Sequence, residues 1–310
     1  MKVSEYVAAS LADQGVRHVF MVSGGGAMHL NDAFGREKRI QYICNHHEQA
    51  CAMAAEGYAR VTGQVGVLNV TTGPGSINAL NGVFGAWTDS IPLLVISGQV
   101  KQETCMASYQ LPGLRQLGDQ EADIIPMVQG ITKYAVMVKD PQTIRFHLEK
   151  ALYLAKSGRP GPCWIDIPID VQAAKINPMT LPGFTPDELV SSDRTDLLTA
   201  QCREVVERLM TASRPAMMVG TGIRLAGAVE TFERLIAKLR IPVTTAWTAH
   251  DLVPTDHELY CGRPGTVGDR PGNFTVQNSD LLIVIGSRLN IRQVSYNWKA
   301  FARHAYKVQV

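Results

Sequence analysis

Three short stretches carry residue types that could do chemistry. The first is His46-His47-Glu48, at the head of a segment rich in small residues (Ala50, Cys51, Ala52, Ala54, Ala55 and Gly57). A carboxylate at a helix start can serve only the helix, favouring its dipole by about 0.3–1 kcal/mol. It can also stand in a poorly solvated site and hydrogen-bond a ligand nitrogen. The small residues would let a second helix or a ligand come close. His46 and His47 are adjacent and do not share a helix face, so they are no metal pair. The second stretch is Thr71-Thr72-Gly73-Pro74-Gly75-Ser76-Ile77-Asn78. Its glycines permit a tight turn and close backbone approach, and a helix start offers unpaired N–H groups. It lacks the Lys-Ser/Thr ending of a phosphate loop and the third glycine of a dinucleotide fingerprint. A plain strand–helix turn is the competing explanation. The third stretch, Ser23-Gly24-Gly25-Gly26-Ala27, follows an apolar run. It is either a flexible turn or a ligand-facing loop at the carboxyl end of a parallel strand.

The elements that must position these residues follow from periodicity. Apolar runs at 16–22, 40–44, 65–70, 91–97, 134–138 and 163–167 read as strands. Helical patterns at 4–14, 47–62, 76–88 and 141–157 lie between them. Strands alternating with helices predict βαβ units and a parallel sheet. From Asp170 to about Thr199 the periodicity fades, with breakers at Asn177-Pro178, Leu181-Pro182-Gly183 and Thr185-Pro186-Asp187. A second α/β unit then begins, with helices at 200–210 and 226–239 and strands at 215–220, 242–246 and 280–286. The expectation is two consecutive three-layer α/β/α domains with mostly parallel sheets: residues 1–175, a linker at 176–194, and 195–310. Residues 306–310 read as a strand just beginning, so the second domain is expected to be incomplete.

Composition excludes several classes. The 310 residues include 30 basic and 28 acidic side chains, a net charge of +2 that gives no footprint for nucleic acid or an anionic membrane. No apolar run approaches the roughly 18 residues of a membrane span. The first residues lack the apolar stretch of a signal peptide. Cys44, Cys51, Cys105, Cys163, Cys202 and Cys261 form no C-x-x-C pair, which points to packing roles and a cytoplasmic setting. Cys44 and Cys163 lie in apolar runs and read as core.

Taken together, the order of these stretches resembles a known family. Glu48 in His47-Glu48-Gln49-Ala50, then Ala55-Glu56-Gly57-Tyr58-Ala59-Arg60, then Thr72-Gly73-Pro74-Gly75 with Asn78, resemble the pyrimidine-binding domain of thiamine diphosphate enzymes. The branch most similar is the large, catalytic subunit of acetolactate synthases. Further matches are Ser97-Gly98-Gln99-Val100, Gln120-Glu121-Ala122-Asp123, and 157–162 (SGRPGP) followed by Asp166-Ile167-Pro168. Residues 242–245, 276–280 and Gly286-Ser287-Arg288 are similar to that family's Rossmann-like central domain.

The resemblance implies a carboligase that decarboxylates a 2-oxo acid, typically pyruvate, and joins the two-carbon unit to a second carbonyl compound, as in branched-chain amino acid biosynthesis. Glu48 matches the glutamate that hydrogen-bonds N1′ of the cofactor's aminopyrimidine. Gln120 and Gly26 match residues near the reacting centre. Gly25, Thr72, Gly73, Pro74, Gly75 and Asn78 match cofactor-binding positions. Flavin adenine dinucleotide is carried by relatives, and Arg159, Gly220, Gly222, Gly265 and Arg288 match positions near it. A homodimer or homotetramer and a regulatory subunit are implied as partners. A pyruvate oxidase- or decarboxylase-like enzyme and a non-catalytic two-domain regulatory protein are the alternatives.

The chain departs from the family at the acceptor side. Val22-Ser23-Gly24 replaces a glycine-tyrosine-proline with one extra residue, 100–120 is longer than usual and includes Tyr109-Gln110-Leu111-Pro112-Gly113, and Asp119 replaces an aromatic. A bulkier acceptor, such as a keto-sugar nucleotide, fits these differences. Arg288-Leu289-Asn290-Ile291-Arg292 lacks two carboxylates of the family's run. The Gly-Asp-Gly and downstream asparagine that hold Mg²⁺ in relatives have no counterpart; Gly268-Asp269-Arg270 with Asn297 places a cation where a metal site wants none. The diphosphate- and metal-binding domain is therefore expected to lie outside these residues.

Overall fold

A computed structural model describes residues 1–109, 112–186 and 195–310. Gln110, Leu111 and the 187–194 part of the expected linker lie outside the described residues. Contacts divide the chain into two units, Met1–Leu189 and Val190–Val310.

The first unit alternates helices and strands in the order α1 (Val3–Asp13), β1 (His18–Met21), α2 (Met28–Arg36), β2 (Gln41–Cys44), α3 (Glu48–Thr62), β3 (Gly66–Val70), α4 (Pro74–Asn78), α5 (Leu80–Asp89) and β4 (Leu93–Gln99). It continues with α6 (Ile124–Val128), β5 (Tyr134–Met137), α7 (Ile144–Lys156), β6 (Pro162–Pro168) and α8 (Ile169–Ala173). All six strands are parallel, in the order β2-β1-β3-β4-β6-β5. Side chains alternate across a strand, and here both faces are buried. Leu94, Ile96, Cys163 and Ile165 face one apolar cluster with α1, α2, α7 and α8. Leu93, Val95 and Trp164 face a second with α3, α5 and α6.

This topology places a crevice. The helix after β1 lies on the first cluster's side and the helices after β3 on the second's. The two loops therefore part at the carboxyl ends of neighbouring strands, the place where open parallel sheets bind ligands.

Four sequence expectations are revised. One expected helix over 76–88 is two, α4 and α5, joined at Ala79. Helix α2 follows the glycine loop, in a stretch where no helix was expected. Cys44 is exposed rather than core, because β2 is the edge strand; Cys163 is buried. Residues 176–181, expected to open the linker, are part of the first core. Ile176 and Leu181 are buried in it. An antiparallel bridge joins Lys2 to Lys175, the Ile176 N–H donates to the Met1 carbonyl at 3.0 Å, and the Val3 N–H donates to the Ala174 carbonyl at 3.0 Å.

The second unit contains α9 (Thr195–Thr211), β7 (Pro215–Val219), α10 (Gly222–Leu225), α11 (Val229–Leu239), β8 (Val243–Thr245), α12 (Arg270–Asn278), β9 (Leu281–Ile285), α13 (Ile291–Val294) and β10 (Tyr306–Gln309). Its four strands are parallel in the order β10-β9-β7-β8. Met217 and Ile283 pack on the α11 side, Met218 and Val284 on the α12 side. Both units are thus parallel α/β sheets with helices on each face.

Candidate functional site

Glu48 is the first residue of α3, after His47 in extended backbone. The small residues behind it serve helix packing: a Cβ on Gly82 of α5 would lie 2.5 Å from the Ala52 Cβ. The carboxyl itself meets the Thr71–Asn78 loop. Asn78 Nδ2 donates to Glu48 Oε2 at 2.7 Å. Glu48 Oε1 lies 3.3 Å from where a Gly75 Cβ would stand. The three residues that stood 27 and 30 positions apart in sequence thus share one point, with one carboxylate oxygen held and the other beside a missing side chain. Glu48 is only half-buried in this chain, so the desolvated surroundings expected of it are not supplied by this domain's residues alone.

The loop is shaped by Gly73, whose φ of 57° and ψ of −118° suit glycine, and by Pro74 at the first helical position of α4. A Cβ on Gly73 would lie 1.7 Å from the Gln120 carbonyl oxygen. The chain at Gln120, itself at φ 55°, therefore rests directly on Gly73. Gly26 joins the same group: its N–H donates to Thr71 Oγ1 at 3.0 Å, and its carbonyl accepts from Gln172 Nε2 at 2.7 Å. A Cβ on Gly24 would stand 2.5 Å from Thr71. Gly25 is exposed, with open space around it. Glu48, Gly25, Gly26, Thr72, Gly73, Pro74, Gly75, Asn78 and Gln120 are accordingly all brought to the carboxyl edge of the first sheet.

Beneath this edge runs a buried polar chain of which only Thr72 was among the expected site residues. The Thr72 hydroxyl donates to Gln99 Oε1; Gln99 Nε2 donates to Asp166 Oδ2 at 3.1 Å. Ser97 Oγ donates to Asp166 Oδ1 at 2.6 Å and accepts the Trp164 indole N–H at 2.8 Å. Burial pushes the Asp166 carboxyl up to about 7, against the hydrogen bonds from Ser97 and Gln99; the charge of Asp123 adds to the rise. Glu121 is a second buried acid, its carboxylate accepting the backbone N–H groups of Met106, Leu117 and Gly118, the last at 3.0 Å. The signal for Asp166 was present: a charged residue inside an apolar strand is costly unless hydrogen-bonded.

The remaining expected residues lie elsewhere. Arg159 donates to Ser90 Oγ at 2.6 Å, and both precede strands, so it stands at the amino edge of the first sheet. Gly220, Gly222, Gly265 and Arg288 collect at the carboxyl edge of the second. The Gly222 N–H donates to the Gly286 carbonyl at 2.9 Å, and a Cβ on Gly220 would lie 2.4 Å from that oxygen. Gly265, at φ 143°, packs on the Arg292 carbonyl, and its N–H donates to Asn273 Oδ1 at 3.0 Å. Arg288 is exposed. Buried Thr245 Oγ1, Asn290 Oδ1 and Gln293 Nε2 have no hydrogen-bond partner among the described residues. Asp269 caps α12, accepting from Gly272 at 2.7 Å and Arg263 at 2.8 Å. No three His, Cys, Asp or Glu side chains among the described residues are grouped to hold a metal.

Comparison with known proteins bears directly on this geometry. Residues 1–125 match the thiamine pyrophosphate enzyme N-terminal TPP binding domain, and 202–310 match the thiamine pyrophosphate enzyme central domain. The acetolactate synthase large subunit of Lactococcus lactis subsp. lactis is 35% identical over 296 residues, covering 94% of this chain and 49% of its own. The acetolactate synthase isozyme 2 large subunit of Escherichia coli is 34% identical over 305 residues, covering 98% and 53%. Acetolactate synthase 2, chloroplastic, of Nicotiana tabacum is 34% identical over 318 residues, covering 100% and 45%. The chain spans about half the length of the curated relatives it matches. Glu48, Gly73, Gly75 and Asn78 converge within the matched N-terminal domain, and the Gly220–Gly222–Gly286 crossing lies within the matched central one: the chain belongs to the thiamine pyrophosphate enzymes.

Proposed function

We propose that this chain forms the pyrimidine-binding and central domains of a thiamine diphosphate-dependent carboligase of the acetolactate synthase type. Its donor substrate is a 2-oxo acid, pyruvate, and a second carbonyl compound is the acceptor. The observation that carries the reading is the meeting of Glu48, Gly75 and Asn78. The residues fit the aminopyrimidine end of the cofactor. Asn78 occupies one carboxylate oxygen of Glu48, and the missing Gly75 side chain keeps a space beside the other. When bound, thiamine diphosphate supplies the acidic carbon and the electron sink for decarboxylation. Glu48 would hold the ring nitrogen of the aminopyrimidine and share a proton there; Asn78 fixes the carboxyl's orientation. Gly73 lets the segment carrying Gln120 lie against the loop, so that the Gln120 side chain borders the acceptor side.

The diphosphate and its Mg²⁺ are assigned to a part of the enzyme outside these residues, which the half-length match to relatives supports. Flavin adenine dinucleotide is assigned to the second unit, where the unpartnered Thr245, Asn290 and Gln293 atoms would take polar partners. Gly220, Gly222, Gly265 and Arg288, all in that unit, are retained as flavin-side residues, whereas Arg159 belongs to the first unit, where it is held by Ser90. Homo-oligomer formation and association with a regulatory subunit are part of the same proposal. So is a cytoplasmic setting, consistent with the six free cysteines; among the described residues no helix is long and apolar enough to cross a membrane.

In the complete enzyme, pyruvate yields acetolactate; acetaldehyde or acetyl phosphate as the product would replace this reading with the decarboxylase or oxidase one. Glu48→Gln lowers turnover by about 10²–10⁴-fold, the usual contribution of a positioned proton-transfer group. Near-normal turnover would remove Glu48 from the role.

A further inference from the structure

Gln99 ends β4 and is 1% exposed. Its amide makes four hydrogen bonds, two at each end. Oε1 accepts the Thr72 hydroxyl and, at 3.0 Å, the Val100 backbone N–H. Nε2 donates to the Ala122 carbonyl at 2.9 Å and to Asp166 Oδ2 at 3.1 Å. A backbone N–H can only donate and a carbonyl can only accept, so Val100 and Ala122 fix which end is oxygen and which is nitrogen. This one amide therefore ties together the loop after β3, the start of the loop after β4, and the segment carrying Gln120. Thr72 is one residue from Gly73, and Ala122 is two residues from Gln120.

Asp166 is fully buried and is the cross-strand partner of Ser97. It shares its face of the sheet with Trp164, against which α5 and α6 present apolar residues, Val83, Ala86, Ile124 and Val128. Helices α7 and α8 pack on the opposite face. The charged group acting on Asp166 is Asp123, which repels it; Asp123 is in turn influenced by Glu121 and Lys139. Among the described residues no cation is found acting on it, and the carboxylate takes its hydrogen bonds from Ser97 and Gln99, while Gln99 depends on it for one of its own acceptors.

We propose that Asp166 is a positioning residue: it holds the Gln99 amide in the orientation that joins Thr72, Val100 and Ala122, and so keeps the Gln120 segment seated on Gly73. The catalytic meaning of this tie rests on the cofactor-site reading above; the tie itself is a property of this chain. Proton uptake from solvent alters it. A proton on Oδ1 is accommodated, because the Ser97 oxygen has a second lone pair with which to accept it. A proton on Oδ2 faces the Gln99 Nε2 donor and opposes the observed orientation. The tie therefore survives a proton on Oδ1, which leaves Oδ2 as the acceptor of Gln99 Nε2, and is opposed only by a proton on Oδ2.

Trp164 provides an internal reporter, since its indole N–H reaches Asp166 through the Ser97 hydroxyl. In the ¹⁵N-labelled chain, the Trp164 indole cross-peak, identified by its loss in Trp164→Phe, shifts between about pH 5 and pH 9 with a midpoint near neutrality. Ser97→Ala and Asp166→Asn each abolish that titration. At fixed pH, Asp166→Leu, which leaves Gln99 Nε2 without this acceptor, speeds hydrogen exchange of the Val100 amide by about ten-fold, as expected for loosening of the amide that accepts it. An indole peak that stays still, that titrates equally in both variants, or a Val100 amide that exchanges unchanged would overturn the proposal. Should Asp166→Leu not fold, the wild-type titration and its loss in Ser97→Ala and Asp166→Asn decide the matter. None of these readouts requires cofactor, so normal turnover in Glu48→Gln would remove the cofactor reading while leaving the tie standing.

Discussion

At the carboxyl edge of the first sheet, neighbouring loops are joined through side chains: Thr71 to Gly26, Thr72 to Gln99, Gln172 to Gly26. At the carboxyl edge of the second, the loops after β7 and β9 are joined, among the described residues, by backbone hydrogen bonds, Gly220 N–H to Ile285 and Gly222 N–H to Gly286. The first unit buries two carboxylates, Glu121 and Asp166; the buried polar side chains described in the second, Thr244, Thr245, Ser279, Ser287 and Gln293, are all neutral. Two parallel sheets can thus bring loops together by different means. One uses groups that must be hydrogen-bonded and can titrate. The other, where the loops after β7 and β9 meet, uses the absence of side chains. The first edge should answer to polar substitution and pH, the second to added volume.

The sharpest break is Gly220→Ala. Its Cβ would stand 2.4 Å from the Gly286 carbonyl oxygen and 2.7 Å from the Ser287 Cα, with backbone on both sides and no flexible group to yield. A loss of about 3 kcal/mol or more, independent of pH, is expected from overpacking, read by denaturant unfolding of the Trp247 and Trp298 signals. A pH-dependent loss would show that the second edge is not purely steric.

Next comes the titration of Asp166. Its proton is bound more tightly in the fold than in the unfolded chain, so the folded state carries the extra proton between about pH 4 and about pH 7. Stability therefore falls as pH rises through that window, by at most about 1.4 kcal/mol per pH unit, and levels off above it. Asp166→Asn should flatten this slope in the Trp87 and Trp164 signals. An unchanged slope would assign it to other groups.

Thr71→Val removes the acceptor of the Gly26 N–H; a loss of about 1–2 kcal/mol is expected, confined to the first unit. Gly25→Ala is the smallest. Nothing lies within 4 Å of a Cβ there, so stability should change by less than about 0.5 kcal/mol. A large loss at Gly25, with turnover preserved, would mean that the loop's glycines serve folding instead of leaving room for a ligand.

The strands were legible because each is a short apolar run bounded by turn residues, and parallel strands buried on both faces read that way. The expected positions of Glu48, Gly73, Gly75 and Asn78 converge because they follow successive strands of one parallel sheet. Helix α12 was hidden: it opens Arg270-Pro271-Gly272, which reads as a breaker, yet Pro at the first turn is compatible with a helix and the Asp269 cap supplies the start. Residues 176–181 were misread as linker because their proline and glycine content signals turns, while Ile176 and Leu181 are single apolar residues whose burial no periodicity announces. Gln99 was quoted within a motif but given no role. Hydrogen bonding to Ala122 and Asp166, 23 and 67 residues away, leaves no trace in local pattern.

The pairing of Lys2 with Lys175 and of Met1 with Ile176 has a consequence for how the protein is made. Strand β6 sits between β4 and β5, so β5, though synthesised earlier, has no neighbour until β6 exists. The first turn of α1 likewise waits for Ala174 to accept the Val3 N–H. During synthesis, residues 1–3 lack these partners until residues 174–176 have emerged, and the unit then closes around them as β6 joins β4 to β5.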